Sequence, residues 1–401
     1  MKFFYTLGVN FYTLGVRIAS LWNPKARKWV DGRRDVWKKL EQFQPKKNIY
    51  WFHCASLGEF EQGRPIIEEI KSRQNCQIVI TFFSPSGYEV RKGYREADLV
   101  VYLPKDSASN ARRFIDVVQP DHVFFIKYEF WAHYIFECRA RNIPVYSVSA
   151  LFRRDQVFFT GYGGFMRKVL KEFTKIFVQN ESSKALLNEI EIEAIVSGDT
   201  RYDRVMKNAE KVVQYEAIET FCRGGKVMIC GSIWQEDLEV IKDKIGELED
   251  WKVIIAPHEI SPRFIEKIKR SINLKSICYS QIDSFSDERL LIIDNIGMLM
   301  NLYQYGQIAF IGGAFRTGLH NILEPAAFGL PVIFGNKYSK FPEAYEFIEN
   351  GIGFSVANKS QFSAVLDELM KSDLKEKVNR FMHSHTGATE IVLNELSISE
   401  S

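Results

Sequence analysis

Residues 307–313 read QIAFIGG, an apolar run that ends in the glycine pair Gly312 and Gly313. Such a run predicts a buried strand followed by a tight turn. Residues 320–335 then read HNILEPAAFGLPVIFG, in which Asn321 opens a predicted helix. A strand, a glycine turn and a helix N-terminus together predict an anion site, because unpaired backbone amides and the helix dipole face the same crevice.

Glu324 indicates the kind of ligand that would carry such an anion. It lies about one turn into the predicted helix, where a carboxylate can accept hydrogen bonds from both hydroxyls of a ribose. The segment then predicts a sugar-nucleotide pocket, with phosphate at the turn and ribose at the carboxylate. Asn321-x-x-Glu324 is also the pattern of a capping box, whose side chains only satisfy the first amides of a helix. The local pattern leaves both interpretations open.

The bulk composition excludes several classes of protein. A chain of 401 residues is long enough for two domains. Its 53 basic and 50 acidic residues give a net charge of +3, which predicts no nucleic-acid partner. The six cysteines lack CxxC spacing and the seven histidines are dispersed, so we expect neither a disulfide framework nor a bound metal.

The N-terminus contains a repeat, because FYTLGV occurs at residues 4–9 and again at 11–16. The seven-residue spacing returns equivalent side chains to nearly the same face of a helix. Asn10 and Arg17 interrupt the segment, and a spanning helix requires about 20 apolar residues. We predict that residues 1–22 form an interfacial membrane anchor, with an ordinary packing helix as the alternative. The basic segment 23–46 is either a solvated arm or a contact for anionic phospholipids.

From residue 47 onward, short apolar runs alternate with amphipathic stretches, as in a doubly wound parallel sheet. The strands predicted in residues 47–205 are Asn48–Cys54, Gln77–Phe83, Asp98–Leu103, His122–Lys127, Pro144–Ser149, Lys175–Val178 and Ala194–Val196.

Residues 206–225 carry no strand signal and are predicted to be a linker, after which the alternation restarts in residues 226–401. The strands predicted there are Lys226–Cys230, Trp251–Ala256, Leu290–Asp294, Gln307–Ile311 and Pro331–Phe334, followed by a helix from Asp373 to about Leu396. The last helix is free to pack back on the first domain. Two Rossmann-like domains place ligands in a cleft at the carboxyl ends of their strands.

Two acidic residues follow predicted strands of the first domain. Glu59 stands in Ser56-x-Gly58-Glu59, where Gly58 permits a tight turn into a helix. Its carboxylate is placed to remove a proton from an acceptor hydroxyl, although Ser56-x-x-Glu59 is equally a capping box. Glu129 stands behind the fourth strand among aromatics that include Trp131, and a pair with a nearby basic residue is its alternative role.

Hydroxyls and glycines at other strand ends complete the candidate set. Ser84 and Ser86 follow the second strand and offer hydroxyls to an acceptor, although a serine before Pro85 equally describes a helix cap. Gly231 and Ser232 end the first strand of the second domain, where they predict a phosphate turn.

Two histidines are candidates through their position alone. His258 follows the second strand of the second domain, and His320 precedes Asn321. A lone histidine is more often a satisfied polar residue than part of a site, which remains the alternative for both.

In this order, the motifs resemble the 3-deoxy-D-manno-octulosonic acid (Kdo) transferases of Gram-negative bacteria, glycosyltransferase family 30. The resemblance extends from the N-terminal segment to the last helix. It rests on Ser56-x-Gly58-Glu59, Tyr128-Glu129-x-Trp131, Gly198-Asp199-Thr200-Arg201-Tyr202-Asp203, Gly312-Gly313 and His320-Asn321-x-x-Glu324-Pro325. It implies the GT-B fold, in which two Rossmann-like domains face a deep interdomain cleft, with a short membrane-associating helix before them.

The resemblance also implies an activity. The family moves Kdo from CMP-Kdo to a lipid A precursor of the lipid IVA type in lipopolysaccharide core biosynthesis, with inversion and without metal or cofactor. The same donor and acceptor are therefore expected here. Anionic inner-membrane lipids are the expected partners of the N-terminus, which would hold the protein on the cytoplasmic face of the inner membrane.

Site roles follow from the same resemblance. Glu59 is expected to be the base that activates the acceptor hydroxyl, and Glu129 to support the acceptor or the base. The residues expected to contact the acceptor are Ser56, Gly58, Ser84, Ser86 and Trp131. The residues expected to contact the donor are Gly231, Ser232, His258, Gly312, Gly313, His320, Asn321, Glu324, Arg201 and Lys340.

The chain departs from the family pattern at the phosphate cation. The family's Pro-Arg-His is Pro257-His258-Glu259 here, so Arg201 or Arg263 is expected to substitute. Lys340 stands near a family asparagine and is another expected phosphate contact. In the first domain, residues 151–154 read LFRR in place of an Arg-Leu-Ser pattern, which changes an expected acceptor loop.

Other functions remain open from the sequence. The fold also accommodates other nucleotide-sugar transferases and epimerases, because fold alone does not fix chemistry. A non-catalytic membrane-peripheral protein that binds nucleotide sugars is an alternative of a different class. A third is a scaffold in which Glu59, Asn321 and Glu324 act only as caps.

Overall fold

The computed structural model describes residues 1–46, 48–316 and 318–398. The chain divides into two compact units. One contains Met1–Asp203 and the segment that begins at Thr386, and the other contains Arg204–His385. Each unit is built on its own parallel sheet, so the predicted pair of α/β domains is confirmed.

The first unit alternates strands and helices. Its helices are α1 (Lys2–Ala19), α2 (Pro24–Asp31), α3 (Val36–Glu41), α4 (Leu57–Arg73), α5 (Pro85–Arg91), α6 (Ala108–Val118), α7 (Ala132–Ala140), α8 (Gly164–Leu170), α9 (Glu181–Asn188) and the start of α10 (Thr200–Ala209). Its strands are β1 (Ile49–Cys54), β2 (Gln77–Phe82), β3 (Leu99–Tyr102), β4 (His122–Ile126), β5 (Val145–Ala150), β6 (Lys175–Val178) and β7 (Ile195–Val196). A 3-10 turn spans Val157–Phe159.

The strands of the first unit pair in the order β3-β2-β1-β4-β5-β6-β7. Every residue of β1 and β5 is buried, which is expected of parallel strands covered on both faces. Gly63 brings α4 close to the sheet, since a Cβ there would lie 3.1 Å from the Ile126 side chain. The strand bounds agree with the predicted ones to within one residue.

Helix α1 is attached on one side and exposed on the other. The Tyr5 hydroxyl donates to buried Asp106 at 2.6 Å, and the Tyr5 ring packs against His133 and Phe165. Side chains on other faces are apolar and exposed, among them Phe3, Phe4, Phe11, Leu14 and Ile18. Within the described ranges, no helix has the length and apolar character needed to cross a membrane.

The second unit repeats the alternation. Its helices are the rest of α10, then α11 (Glu216–Cys222), α12 (Gln235–Gly246), α13 (Pro262–Ser271), α14 (Leu299–Leu302), α15 (Leu323–Ala326), α16 (Pro342–Glu349), α17 (Lys359–Leu369) and α18 (Lys375–Ser384). Its strands are β8 (Lys226–Ile233), β9 (Trp251–Pro257), β10 (Ser276–Cys278), β11 (Leu290–Ile292), β12 (Ile308–Ile311), β13 (Val332–Gly335) and β14 (Gly353–Val356). Two 3-10 segments span Tyr279–Ser284 and Tyr303–Tyr305.

The sheet of the second unit has the order β10-β11-β9-β8-β12-β13-β14. The two strands at its edges, β10 and β14, were not among the predicted ones. The predicted linker, residues 206–225, contains the end of α10 and all of α11.

The C-terminal segment is two helices rather than the single predicted one. Helix α18 ends at Ser384, and Gly387 breaks the chain with φ of 101° before α19 (Ala388–Glu395) begins. Helix α19 belongs to the first unit, where Val392 and Leu393 join the buried core. The Asp203 carboxylate fixes this return, because it accepts hydrogen bonds from the amides of Gly387 and Thr389, each at 2.6 Å.

Candidate functional site

Glu59 lies in the first turn of α4, directly behind the buried strand β1. The Ser56 hydroxyl donates to the Glu59 carboxylate and makes no hydrogen bond to a helix amide. The two side chains therefore do not form the capping box that was the alternative for this motif. Glu59 is half-buried, so its carboxylate is accessible at the end of the strand.

Gly58 is not needed for the turn, contrary to the sequence interpretation. It lies within α4 without a positive φ, and a Cβ there would meet only the Ser56 hydroxyl, at 3.8 Å. The bare backbone instead leaves open the surface beside Ser56 and Glu59.

Glu129 is held by a chain of buried hydrogen bonds that starts from β1. Its Oε2 lies 3.0 Å from His53 Nε2 and 2.5 Å from Trp131 Nε1. A carboxylate only accepts, so His53 Nε2 carries the proton, and the Trp131 indole must also donate to Glu129. His53 Nδ1 then accepts from the Thr81 hydroxyl at 2.8 Å, and that hydroxyl accepts from the Trp51 indole at 2.8 Å.

This network differs from the alternative predicted for Glu129. Its partner is the imidazole of His53 rather than a lysine or arginine, and that imidazole is fully buried and donates a hydrogen bond. His53 was not among the predicted site residues. Glu59 and Glu129 both lie near the buried Cys54 thiol, whose pKa is raised by desolvation and further by these two carboxylates.

Strained backbone accompanies the candidate residues in both units. Lys127 follows β4 with φ of 67°, and Ser232 lies in β8 with φ of 55°. The left-handed region costs a residue with a Cβ about 1–2 kcal/mol. Such strain concentrates at functional sites, where the surrounding structure maintains it.

Ser84 and Ser86 form a helix cap in the structure. Ser84 is the N-cap of α5, and its hydroxyl accepts from the Ser86 amide at 3.3 Å and lies 3.0 Å from the Ser86 hydroxyl. Trp131 stacks on Phe83 with ring centroids 5.1 Å apart. The indole of Trp131 therefore joins the loop behind β2 to the Glu129 network.

In the second unit, Asp237 joins the segment behind β8 to the glycine turn behind β12. Its buried Oδ2 accepts from the amides of Trp234 and Gly313, each at 2.9 Å. A Cβ on Gly312 would lie 2.6 Å from this oxygen, so glycine is required there. Desolvation raises the pKa of Asp237. Asp237 was not among the predicted residues.

The remaining glycines of this turn region are also sterically required. Gly313 has φ of 95°, and a Cβ on it would lie 2.5 Å from the Gly318 carbonyl oxygen. A Cβ on Gly231 would lie 2.4 Å from the Tyr303 hydroxyl. These glycines thus let the ends of β8 and β12 pack closely against the neighbouring backbone and side chains.

His258 and His320 are stacked together with Trp234 beside this turn. The centroids of Trp234 and His258 are 4.1 Å apart, and those of His258 and His320 are 4.6 Å apart. The Trp234 indole donates to His320 Nε2 at 3.1 Å, which requires that nitrogen to be unprotonated. Desolvation and His258 lower the pKa of His320 to about 4, and desolvation also lowers the pKa of His258.

Asn321 and Glu324 contact each other, but the helix behind them is short. Asn321 Oδ1 accepts from the Leu323 amide at 3.0 Å, and its amide nitrogen donates to Glu324 at 3.0 Å. Helix α15 contains only four residues, so the predicted contribution of a helix dipole at Asn321 is wrong. Desolvation raises the pKa of Glu324, while nearby Arg204 lowers it.

Two predicted phosphate contacts lie outside this group. Arg201 belongs to the first unit, where its guanidinium binds Asp199 at 2.7 Å. Lys340 is exposed, in the turn before α16. The cation that approaches the stack is instead Arg316, whose guanidinium lies 4.2 Å from the Trp234 ring. No cluster of three His, Cys, Asp or Glu side chains suited to a metal occurs in the described ranges.

Comparison with known proteins finds similarity to one family of enzymes. The model for 3-deoxy-D-manno-octulosonic-acid transferase (kdotransferase) matches residues 31–204, which include Glu59 and Glu129. A 3-deoxy-D-manno-octulosonic acid transferase of Aquifex aeolicus is 27% identical over 361 residues, covering 84% of this chain and 92% of that protein. The chain therefore resembles Kdo transferases over most of its length. It is therefore a glycosyltransferase.

A second relative is a bifunctional protein. A bifunctional glycosyltransferase/methyltransferase of Fusobacterium nucleatum is 27% identical, covering 84% of this chain and 55% of that protein.

Solved structures confirm the GT-B fold of the chain. The UDP-GlcNAc 2-epimerase from Neisseria meningitidis aligns with a TM-score of 0.61 and 17% identity, over 89% of this chain and all of that one. The glycotransferase of kitacinnamycin aligns with a TM-score of 0.54 and 11% identity, over 88% of this chain and all of that one. At these identities the likeness concerns the fold and not the reaction.

Proposed function

We propose that this protein transfers Kdo from CMP-Kdo to a lipid A precursor, with inversion and without a metal ion. The observation that carries the proposal is the pair of carboxylates behind the adjacent strands β1 and β4. Glu59 and Glu129 stand there within the segment that the Kdo transferase model matches. The donor and acceptor are those named for the family, and the residues below explain how the chain would use them.

Glu59 is the better candidate for the base. Glu129 Oε2 already accepts two hydrogen bonds, from His53 and Trp131, so this oxygen is occupied within the protein. Glu59 has the Ser56 hydroxyl as its partner and stands at the more open turn. In the proposed step, Glu59 takes the proton of the acceptor hydroxyl while that oxygen attacks the anomeric carbon of Kdo. The bond from that carbon to phosphate breaks, and CMP departs with the electron pair.

The second unit supplies the donor site in this proposal. Gly231, Gly312 and Gly313 let the ends of β8 and β12 pack closely against neighbouring protein atoms, and α12 begins directly behind β8, where its first-turn amides would face a phosphate. These fixed donors stabilise charge on departing CMP without a cation. Asn321 and Glu324 are placed for the ribose hydroxyls, and His258 and His320 complete the site as neutral donors or acceptors.

A transfer assay tests the reaction. Purified full-length protein is incubated with CMP-Kdo and a lipid A precursor, with and without a chelator. The mass and the yield of the lipid product are then measured by mass spectrometry. We expect a lipid that has gained Kdo, in equal yield in both samples. A folded protein that binds CMP but yields no such product would overturn the proposal, and loss of product with chelator alone would overturn only its metal independence.

We further propose that the protein lies on the cytoplasmic face of the inner membrane through α1. The exposed Phe3, Phe11 and Leu14 of this helix supply the apolar contact, and the basic segment behind it supplies attraction to anionic lipids. Deletion of residues 1–22 is expected to move the protein from the membrane to the supernatant fraction. An unchanged distribution would contradict this placement.

A further inference from the structure

An apolar groove runs between α1 and the loops behind β2 and β4. It has a volume of about 510 Å³ and is lined by the α1 side chains from Phe4 to Tyr12, together with Phe83 and Trp131. Its floor on the helix is Gly8, where a Cβ would meet no atom within 4 Å. The volume lies in the range of ligand pockets, and the lining is almost wholly apolar.

A cationic cavity of about 360 Å³ lies farther along the same helix. Four basic residues line it, namely Arg17, Arg33, Arg34 and Lys105, and its lining includes no acidic residue. Arg34 pairs with Asp31 on its own chain segment, and Lys105 donates to Asn10. The cavity therefore carries an excess of positive charge.

Arg33 is the most enclosed of these cations. Its guanidinium lies 3.7 Å from the Trp29 ring and donates to the carbonyl oxygens of Trp29, Phe83 and Leu103. No carboxylate of the described chain forms an ion pair with it. Desolvation lowers the pKa of Arg33 to about 9, which leaves it charged at neutral pH. A bound anion would stabilise this enclosed guanidinium charge by an ionic hydrogen bond.

A third cavity of about 20 Å³, here named the passage, shares lining residues with both of the others. Its lining includes Tyr12 and Trp131 from the groove and Arg33 and Lys105 from the cationic cavity. Asp106 also faces the passage and accepts from the Tyr5 hydroxyl. This buried carboxyl repels an anion from the passage itself, so the place for an anion is the cationic end.

We propose that these neighbouring cavities bind the acceptor lipid, with one acyl chain in the apolar groove and one phosphate in the cationic cavity. The inference rests on the proposed function for the identity of the lipid. Charge complementarity and the apolar lining select an amphiphile that carries phosphate. Trp131 puts the groove beside the proposed catalytic residues, because this groove wall donates directly to Glu129. A chain seated there lies beside the reacting groups.

The repeat in α1 provides a matched pair of variants. Gly8 and Gly15 occupy equivalent places in the two copies of FYTLGV, and a Cβ meets nothing within 4 Å at either. Gly8 lines the groove, whereas Gly15 does not. Gly8→Leu and Gly15→Leu gain similar helix propensity, so a difference between them reports on the groove alone.

Binding is measured without donor, on purified full-length protein in detergent micelles. The probes are a phosphorylated lipid A precursor, its dephosphorylated derivative and its deacylated derivative. Gly8→Leu is expected to weaken binding of the precursor at least roughly tenfold, because acyl methylenes lose their contacts. Gly15→Leu is expected to bind like the native protein, and the deacylated probe is expected not to distinguish the two variants.

The test of the phosphate site uses a double variant, Arg17→Gln with Arg34→Gln. Its control is Arg95→Gln, because Arg95 is exposed and lies outside the cavity. The double variant is expected to weaken binding of the phosphorylated precursor roughly tenfold and to leave the dephosphorylated one unaffected. The Arg95 variant is expected to bind both normally.

The outcomes separate this inference from the proposed function. Equal binding of the precursor by the Gly8 and Gly15 variants would overturn the acyl groove. An equal loss for both phosphorylation states would overturn the phosphate site. The Gly8 variant and the double arginine variant could instead bind anionic vesicles without acceptor more weakly than the native protein, and bind the precursor normally. That result would assign the cavities to bulk phospholipid and overturn the proposal that they bind the acceptor. If the native protein binds the precursor as expected but transfers no Kdo, the lipid site stands and the transfer reaction fails.

Discussion

His320 is a residue whose surroundings fix its protonation state. The Trp234 indole donates to its Nε2, and desolvation together with His258 lowers its pKa from 6.5 to about 4. A histidine with a lowered pKa stabilises the fold fully above its unfolded value of about 6.5, and this stabilisation is lost as the pH falls toward 4. The folded state therefore holds His320 as a neutral imidazole.

We predict that His320→Gln reduces the acid sensitivity of the protein. Between pH 6.5 and 4, the free energy of unfolding of the native protein should fall by roughly 1–2 kcal/mol more than that of the variant, after discounting for partial exposure. Urea unfolding at several pH values in this interval measures the difference. Parallel curves for the two proteins would show that His320 is not held neutral.

The candidate site was only partly predictable at the scale of residues. Glu59, Glu129 and the glycines of the second unit follow strand ends in the sequence, and strand ends are recognisable from apolar runs. His53 lies inside a strand, and its role comes from Glu129, 76 residues away. Asp237 was equally unpredictable from the sequence, because its hydrogen-bond partner Gly313 is 76 residues away and only the fold brings them together.

At the scale of elements, the turn behind β12 depends on backbone without side chains. Gly313 and Gly297 both have φ near 95°, but only at Gly313 would a Cβ meet another atom, the Gly318 carbonyl oxygen at 2.5 Å. Gly297 therefore separates the effect of backbone strain from that of a clash.

We predict that Gly313→Ala destabilises the second unit by more than Gly297→Ala. Strain at φ above zero costs either variant about 1–3 kcal/mol, and the clash at Gly313 adds to that cost. Only Gly313→Ala is expected to weaken CMP binding, measured by calorimetric titration beside thermal unfolding. Equal losses of stability with unchanged CMP binding in both variants would contradict the assignment of this turn to the donor.

Element prediction failed at two edge strands and at one short helix. Strands β10 and β14 have three and four residues and lie at the sheet edges, where partial exposure admits polar side chains. Helix α15 contains Pro325 and ends after four residues, although Asn321-x-x-Glu324 is typical of the start of a longer helix. The central buried strands were predicted well because both of their faces are apolar.

At the scale of the whole molecule, the chain leaves the first unit within α10 and returns to it in α19. The pattern of the sequence shows that the last segment is helical but not which core it joins. The break at Gly387 and the two amide hydrogen bonds to Asp203 determine that choice, and both depend on contacts across more than 180 residues.

We predict that ending the chain after His385 destabilises the first unit. The truncation removes the buried side chains of Val392 and Leu393, and each contributes about 1.5–3 kcal/mol by its burial. Scanning calorimetry should show a lower transition temperature for the first unit, while a chain that ends after Ile398 serves as the control. An unchanged transition in the shorter chain would contradict the assignment of α19 to that core.

The central claim for the whole molecule is that Glu59 is the base of a Kdo transfer reaction. The most direct measurement is single-turnover transfer from CMP-Kdo to a lipid A precursor by Glu59→Gln, with CMP affinity measured on the same protein. Glu96→Gln, an exposed carboxylate away from the strand ends, is the control. We predict that Glu59→Gln slows transfer by roughly 10²–10⁴-fold and leaves CMP affinity unchanged. Transfer at the native rate would contradict the account.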